Sequence, residues 1–295
     1  MRPLERQYPV GAELVSNDHA NLRVWAPDHH ELEAVVDGVT TRLQREDDGH
    51  FSAILRAHPG SRYAIRLPGD ARSYPDPVSR WLPDGPDGLS AMVDLSAYRW
   101  NDTAWRGVTL PGQVLYEMHV GTCTRSGGWR SAEGLLPRLR DLGVTVIQMM
   151  PIAEFAGLFG WGYDGVQWFA PTRNYGEPSD LQHFVDAAHQ IGLGVILDVV
   201  YNHLGPSGNF LGRFDRRWQS TRHRNEWGEA LNFDGDGAGF MSTSATAISP
   251  PAMRSAASFE AASWGTSSPS RPFSTTPTER AARGLVIGTC PVQAA

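Results

Sequence analysis

The chain has 295 residues, of which 41% are apolar and 20% are charged, and its formal net charge is -6. These totals are ordinary for a globular protein of one or two domains, and the acidic balance gives no reason to expect a nucleic-acid partner. No run approaches ~18 apolar residues and the opening residues lack a leader-like pattern, so we expect neither a membrane partner nor a secretory signal. Only two cysteines occur, Cys123 and Cys290, which excludes a disulfide scaffold and favours a cytoplasmic location.

Residues 1–105 predict an all-β N-terminal module. Apolar and polar residues alternate in short runs bounded by Gly, Pro and Asp, at residues 21–25, 32–36, 51–55 and 62–67. Short strands at a spacing of about ten residues are typical of an antiparallel β-sandwich. A stretch rich in Pro and Gly at residues 74–88 is expected to connect this module to the next domain.

Residues 106–240 predict alternating strands and helices. A strand-like run covers residues 114–120, and mostly apolar runs indicate buried strands at residues 144–149 and 194–200. Apolar residues at helical spacing indicate helices at residues 135–142 and 181–191, which end at Gly143 and Gly192. The order β-α-β-α-β predicts a parallel sheet. Long loops at residues 151–175 and 201–240 follow two of the strands, where a (β/α) barrel builds its site.

Residues 241–295 change abruptly to a composition rich in Ser, Ala, Thr and Pro, and no helix or strand periodicity is evident. We therefore expect an irregular, disordered tail. No lysine occurs in the chain, which suggests a GC-rich gene, in which a wrong reading frame stays open and encodes such a composition. Our hypothesis is a reading-frame shift near residue 240, and the alternative is a genuine truncated protein.

Polar residues follow the third predicted strand of the parallel sheet. The segment Asp-Val-Val-Tyr-Asn-His at residues 198–203 places Asp198, Asn202 and His203 close together in the chain. A carboxylate, an amide and an imidazole within six residues can bond several hydroxyls of one sugar. The structural alternative is that Asp198 caps a turn and His203 is an ordinary loop histidine.

A glycine-rich segment, Gly-Trp-Gly-Tyr-Asp-Gly, lies in the loop after the second strand at residues 160–165. Its glycines allow sharp turns and a close approach to a ligand. Trp161 and Tyr163 offer flat faces on which a sugar ring can stack, and Asp164 is the polar group beside them. An ordinary turn with one buried aromatic residue is the alternative.

Taken together, these segments resemble the α-amylase superfamily, glycoside hydrolase family 13. Residues 198–203 resemble its first signature region. More narrowly, five segments resemble malto-oligosyltrehalose trehalohydrolases, over a likeness that spans roughly residues 10–240: residues 74–80, 116–122, 160–166, 170–176 and 201–209.

The resemblance implies an immunoglobulin-like N-terminal sandwich, followed by an incomplete (β/α)8 TIM barrel with its first three strands. It also implies a retaining glycosidase that releases trehalose, with two carboxylates about 5 Å apart. Tyr163 would stack on the sugar at the cleavage subsite, His203 would bond one of its hydroxyls, Asp198 would organise the site and Asn202 would support the loop. The implied partner is a maltooligosaccharide or maltooligosyltrehalose, and no cofactor or metal is implied.

The chain departs from the family pattern after residue 240. The family nucleophile is an aspartate in a segment like Gly-Leu-Arg-Leu-Asp-Ala, and the acid/base is a glutamate after the following strand. Neither segment is found, since Glu260 and Glu279 lie in the Ser- and Pro-rich tail. We therefore assign no catalytic residue and expect an inactive chain. A branching or debranching enzyme fragment and a non-catalytic α-glucan-binding module are the alternatives.

Overall fold

The computed structural model describes residues 6–109 and 111–238, together with the backbone of residues 285–288. None of the helices in these ranges is long and apolar enough to cross a bilayer. The strands are β1 (Gly11–Leu14), β2 (His19–Trp25), β3 (Glu33–Val36), β4 (Val39–Arg42), β5 (Gln44–Arg45), β6 (His50–Arg56), β7 (Arg62–Arg66), β8 (Ser73–Tyr74), β9 (Ser90–Ala91), β10 (Leu115–Met118), β11 (Val146–Met149), β12 (Ala153–Glu154), β13 (Gln167–Pro171), β14 (Gly194–Val199), β15 (Gln219–Asn225), β16 (Gly228–Leu231) and β17 (Leu285–Gly288). The α-helices are α1 (Val120–Cys123), α2 (Trp129–Glu133), α3 (Leu136–Asp141), α4 (Pro178–Gln190) and α5 (Leu211–Phe214).

The first nine strands form two antiparallel sheets. One has the order β1-β2-β6-β5, and the other has the order β4-β3-β7-β8 with β9 also paired to β7. Inward-facing residues of both sheets, including Leu22, Ala34, Phe51 and Ile65, belong to one hydrophobic cluster. The four strands expected from alternation correspond to β2, β3, β6 and β7.

A parallel sheet follows, with the strand order β10-β11-β14-β17. Met118 is paired with Met149, and Met149 is paired with Leu197, so the three predicted strands lie side by side in chain order. One face of this sheet packs on the helices, where Trp129 of α2 and Phe184 of α4 join the same core. The predicted β-α-β-α-β order is therefore present as a partial barrel.

The prediction of three strands and a wholly irregular tail is wrong at residues 285–288. The backbone of β17 pairs in parallel with β14, with Leu285 opposite Ile196 and Gly288 opposite Val199. Strand β14 offers its edge for pairing, and a short Leu-Val-Ile run can satisfy those N–H and C=O groups. Three apolar residues are too few to show a period, so the sequence pattern did not reveal them. The rest of 241–295, with the expected disorder and frame shift, lies outside the described residues.

The two long predicted loops also contain regular structure. The loop after β11 holds the antiparallel pair β12–β13, and the loop after β14 holds α5 and the hairpin β15–β16. Strand β12 has only two residues, and most of β15 is exposed and polar. Neither pattern alternates in a way that predicts a strand.

Candidate functional site

A cleft opens at the carboxyl ends of β11 and β14. Side chains that follow neighbouring parallel strands meet at this edge of a sheet, which is where barrel enzymes build their sites. Asp198 is the charged side chain in the cleft lining and is only 3% exposed. The residues that line the cleft are Pro151, Ile152, Ala153, Gly162, Gly165, Trp168, Leu197, Asp198, Val199 and Val200.

Asp198 lies on the face of the sheet that is turned away from the helices. Ile196, two residues earlier on the same strand, packs with Val146 in a small cluster separate from the helix-facing core. Ile196 is opposite Gln148, and Gln148 is opposite Glu117 on β10. Because side chains alternate along a strand, Glu117, Gln148 and Asp198 share the face that would become the barrel interior.

Tyr163 stands beside this polar face and is 38% exposed. Burial raises the pKa of its phenol, and the carboxylates of Asp198 and Glu117 act in the same direction. These two charges are therefore close enough to Tyr163 to affect its ionisation. A half-exposed aromatic ring next to a buried carboxylate offers an apolar surface and a hydrogen-bond acceptor, the combination that a sugar ring with its hydroxyls requires.

Asp164 connects the two loops that form the rim of the cleft. A Cβ atom on Gly205 would lie 2.1 Å from the carbonyl oxygen of Asp164, so only glycine fits at residue 205. The N–H of Gly205 donates to the carbonyl oxygen of Gly165 at 3.2 Å. The backbone of Asp164 thus serves as a packing surface, while its side chain is exposed.

Asn202 and His203 lie under the β15–β16 hairpin. The Nδ1 atom of His203 is 3.2 Å from the Oδ1 atom of Asn202, and the side-chain amide of Asn225 donates to the carbonyl oxygen of Asn202 at 2.7 Å. At the hairpin tip, the ring of Trp227 lies 6.4 Å from the ring of His203 and is 68% exposed. Trp227 is not among the residues predicted from the sequence, although an aromatic residue within a polar segment was a usable signal.

Trp161 is exposed and lies outside the cleft lining formed by the described residues. Gly160, the residue before Trp161, is fixed by His119, whose Nε2 atom lies 2.9 Å from the Gly160 carbonyl oxygen. The hydroxyl of Tyr175 lies 3.1 Å from the same nitrogen. The structure therefore places Tyr163 within electrostatic reach of Asp198, between the lining residues Gly162 and Gly165, and leaves Trp161 at the rim.

Within residues 6–109 and 111–238, one group of side chains has metal-ligand spacing: Glu46, Asp48 and His50. It lies in the antiparallel sheets. Arg23 forms ion pairs with Glu46 at 2.6 Å and with Asp48 at 3.0 Å. A guanidinium already compensates these carboxylates, so the cluster is explained as an ion-pair network.

The fold and the sequence both match known α-glucan enzymes. The family described as "Alpha amylase, catalytic domain" matches residues 99–265. A malto-oligosyltrehalose trehalohydrolase from Deinococcus radiodurans is 44% identical over 212 residues, which is 72% of this chain and 35% of that protein. The chain thus spans about a third of the length of this relative.

Of two further matches, one has a lower sequence identity and the other covers more of the chain. A 1,4-alpha-glucan branching enzyme from Rhodospirillum rubrum is 34% identical over 241 residues, covering 70% of this chain and 31% of that protein. A crystal structure described as an alpha amylase from Salmonella typhimurium superposes with a TM-score of 0.76 at 37% identity, and the match covers 82% of this chain and 42% of that one.

Proposed function

Because the chain belongs to the alpha-amylase family, on the catalytic-domain match over residues 99–265, we propose that it is part of a trehalose-releasing glycosidase. The reaction would be retaining hydrolysis of an α-1,4-glucosidic bond in maltooligosyltrehalose. The observation that carries the proposal is the half-exposed ring of Tyr163 beside the buried carboxylate of Asp198, at the carboxyl ends of parallel strands. The 44% identity to a trehalohydrolase supports this substrate over other α-glucans.

In this proposal, each candidate residue has a distinct role. Tyr163 stacks on the apolar face of the sugar, and His203 bonds one of its hydroxyls. Asp198 accepts hydrogen bonds from hydroxyls at the base of the cleft, and Asn202 supports the loop that carries His203. Trp161 and Asp164 contribute at the rim.

We further propose that residues 1–105 are an immunoglobulin-like sandwich and that residues 106–240 are the first part of the catalytic barrel. The two antiparallel sheets with a shared core support the first assignment. The parallel sheet supports the second. A cytoplasmic location belongs to the same proposal and rests on the low cysteine content.

We propose that the chain binds α-glucan but does not hydrolyse it. Strand β17, next to β14, reads Leu-Val-Ile-Gly and has no carboxylate. The family pattern places its nucleophilic aspartate after this strand, in a segment like Gly-Leu-Arg-Leu-Asp-Ala. A glucan-binding module without activity would share the binding step, so binding and turnover must be measured separately.

Titration calorimetry with maltotetraose and with maltooligosyltrehalose tests the binding step. We expect Tyr163→Ala to weaken binding by about tenfold, because it removes the stacking surface. Phe159→Ala is the matched control, since it removes an exposed aromatic ring from the same loop and should leave affinity unchanged. Equal affinity of Tyr163→Ala and the wild type would show that the cleft is not the glucan site.

An assay for free trehalose tests the chemical step. We expect no release above background from the wild-type chain. Turnover abolished by Asp198→Asn would contradict the proposed inactivity and would place a carboxylate pair within this chain. The branching-enzyme alternative has a lower identity to the chain, 34%, and no feature of the described site favours it.

A further inference from the structure

A buried ion pair lies behind the loop that carries Tyr163. The side chain of Glu154 is completely buried, and its carboxylate pairs with the guanidinium of Arg173. The same carboxylate accepts hydrogen bonds from the backbone N–H of Arg173 at 2.7 Å and of Phe155 at 3.1 Å. Phe155 begins the loop after β12, and Arg173 follows β13, on which the loop returns. One carboxylate therefore connects the beginning of the loop to the segment that follows its return strand.

Arg173 extends this connection into the loop itself. Its guanidinium donates to the carbonyl oxygen of Phe155 at 3.3 Å and to that of Gly157 at 3.1 Å. The side-chain amide of Asn174 donates to the Gly157 oxygen as well, at 3.2 Å. Guanidinium groups hold several acceptors in a fixed plane, so the first three loop residues are fixed relative to β13.

The contacts continue from this base toward Tyr163. The ring of Phe155 is buried beneath Gly160, where an added Cβ atom would lie 2.9 Å from it. His119 holds the carbonyl oxygen of Gly160 from the other side at 2.9 Å. Tyr163 lies three residues after Gly160, so the position of the Tyr163 ring depends on the position of Phe155.

Burial of this ion pair carries a desolvation penalty, so its contribution to stability is small. Burial raises the pKa of Glu154 to about 7, although the N–H donors and Arg173 act in the opposite direction. Apolar side chains of similar volume often stabilise such a position equally well or better. A charged pair provides what apolar packing does not, namely short directional bonds to the backbone at both ends of one loop.

We propose that Glu154 and Arg173 are a pair of positioning residues that hold residues 155–163 so that Tyr163 faces the cleft. The consequence for sugar binding rests on the proposed function. The effect on the loop does not rest on the proposed function, because it follows from the hydrogen bonds between these two side chains and the loop backbone.

Amide hydrogen exchange on the full chain tests the pair. At pH 8, Glu154 with its pKa of about 7 is mostly ionised. There we expect amides at residues 156–163 to exchange about tenfold faster in Glu154→Gln, which keeps the shape but not the charge, because the loop opens locally. Amides of β6 should keep their wild-type rates. Affinity for maltotetraose should fall by about tenfold in the same variant. Glu33→Gln is the matched control, since Glu33 pairs with Arg66 on the exposed surface of the antiparallel sheets.

Arg173→Lys distinguishes positioning from general destabilisation. Lysine keeps a cation beside Glu154 but cannot reach the oxygens of Phe155 and Gly157 together, so faster exchange should again be confined to the loop. Unchanged loop exchange in Glu154→Gln, or equal acceleration of the loop and β6 in both variants, would overturn the proposal. If wild type does not bind maltotetraose while the loop still responds, the proposed function fails and the positioning pair stands.

Discussion

A Cβ atom on Gly162 would lie 1.9 Å from the carbonyl oxygen of Pro151, which leaves no space for a side chain at residue 162. Gly162 also has a φ of +89°, in the left-handed region that favours glycine. Pro151 lies two residues after the end of β11, and Gly162 immediately precedes Tyr163. This contact therefore fixes the loop against the segment after β11, immediately before Tyr163.

Gly162→Ala is expected to lower the free energy of unfolding by about 3 kcal/mol. The left-handed backbone disfavours alanine, and the added methyl group would overlap the carbonyl oxygen of Pro151. Urea unfolding monitored by tryptophan fluorescence measures the change. Gly157→Ala is the control, since Gly157 has a φ of +95° but no heavy atom within 4 Å of an added Cβ. It should cost only about 1–2 kcal/mol. Equal losses in the two variants would mean that the Pro151 contact relaxes at no cost.

Trp227→Ala is expected to weaken maltotetraose binding by about fivefold without changing stability, because the indole is exposed yet lies beside His203. Titration calorimetry gives the affinity and thermal unfolding gives the stability. Leu142→Ala removes a similarly exposed apolar side chain just after α3, before β11 begins, and should change neither quantity. Unaltered affinity in Trp227→Ala would exclude the hairpin tip from the glucan site.

Periodic elements were predictable because burial on one face leaves a repeat in the sequence. Helix α4 buries Leu181, Phe184, Val185 and Ala188 against the parallel sheet, and these residues recur at helical spacing. The helix begins at Pro178, three residues before the predicted start, because proline fits the first turn without needing an N–H partner. Its polar first turn carries no apolar signal.

Contacts between distant residues were not predictable in this way. Glu154 and Arg173 are 19 residues apart, and neither lies in a periodic run. Their pairing follows from the return of the chain along β13, which the sequence pattern did not indicate. The hairpin that carries Trp227 was hidden for a related reason, since β15 is mostly exposed and polar.

Asp102→Asn is expected to lower the free energy of unfolding by about 2 kcal/mol, because it disrupts a buried pair. The Nδ1 atom of His189 lies 2.8 Å from the carboxylate of Asp102, both side chains are almost inaccessible, and Trp105 stacks on the imidazole at 4.5 Å. This contact attaches the segment before β10 to helix α4. Urea unfolding measures the change.

Glu133→Gln is the matched control for the Asp102 experiment. Glu133 of α2 pairs at 2.7 Å with His183, which lies on α4 as His189 does, but both side chains are partly exposed. Solvent screens this pair, so the variant should lose less than about 1 kcal/mol. Similar losses in both variants would show that burial does not strengthen the Asp102 contact.

The stability of the chain should decrease with rising pH through the ionisation of Glu154. Its pKa is raised to about 7 in the folded protein by burial, above the ordinary value of 4.5. Between these two values the folded state retains a proton that the unfolded state has released, so folding is favoured at the acidic end and loses this contribution as pH rises. The full contribution is about 3 kcal/mol. Urea unfolding between pH 5 and pH 8 measures it.

Glu154→Gln separates this group from every other titrating residue, because glutamine cannot ionise. We expect the free energy of unfolding of the wild type, relative to this variant, to fall as pH increases from about 5 to about 8. The opposite slope has a definite meaning. If Arg173 and the two N–H donors outweighed burial, the pKa of Glu154 would lie below its ordinary value, and the relative stability of the wild type would instead be lost at acidic pH. The sign of the slope therefore decides whether burial or the ion pair controls Glu154.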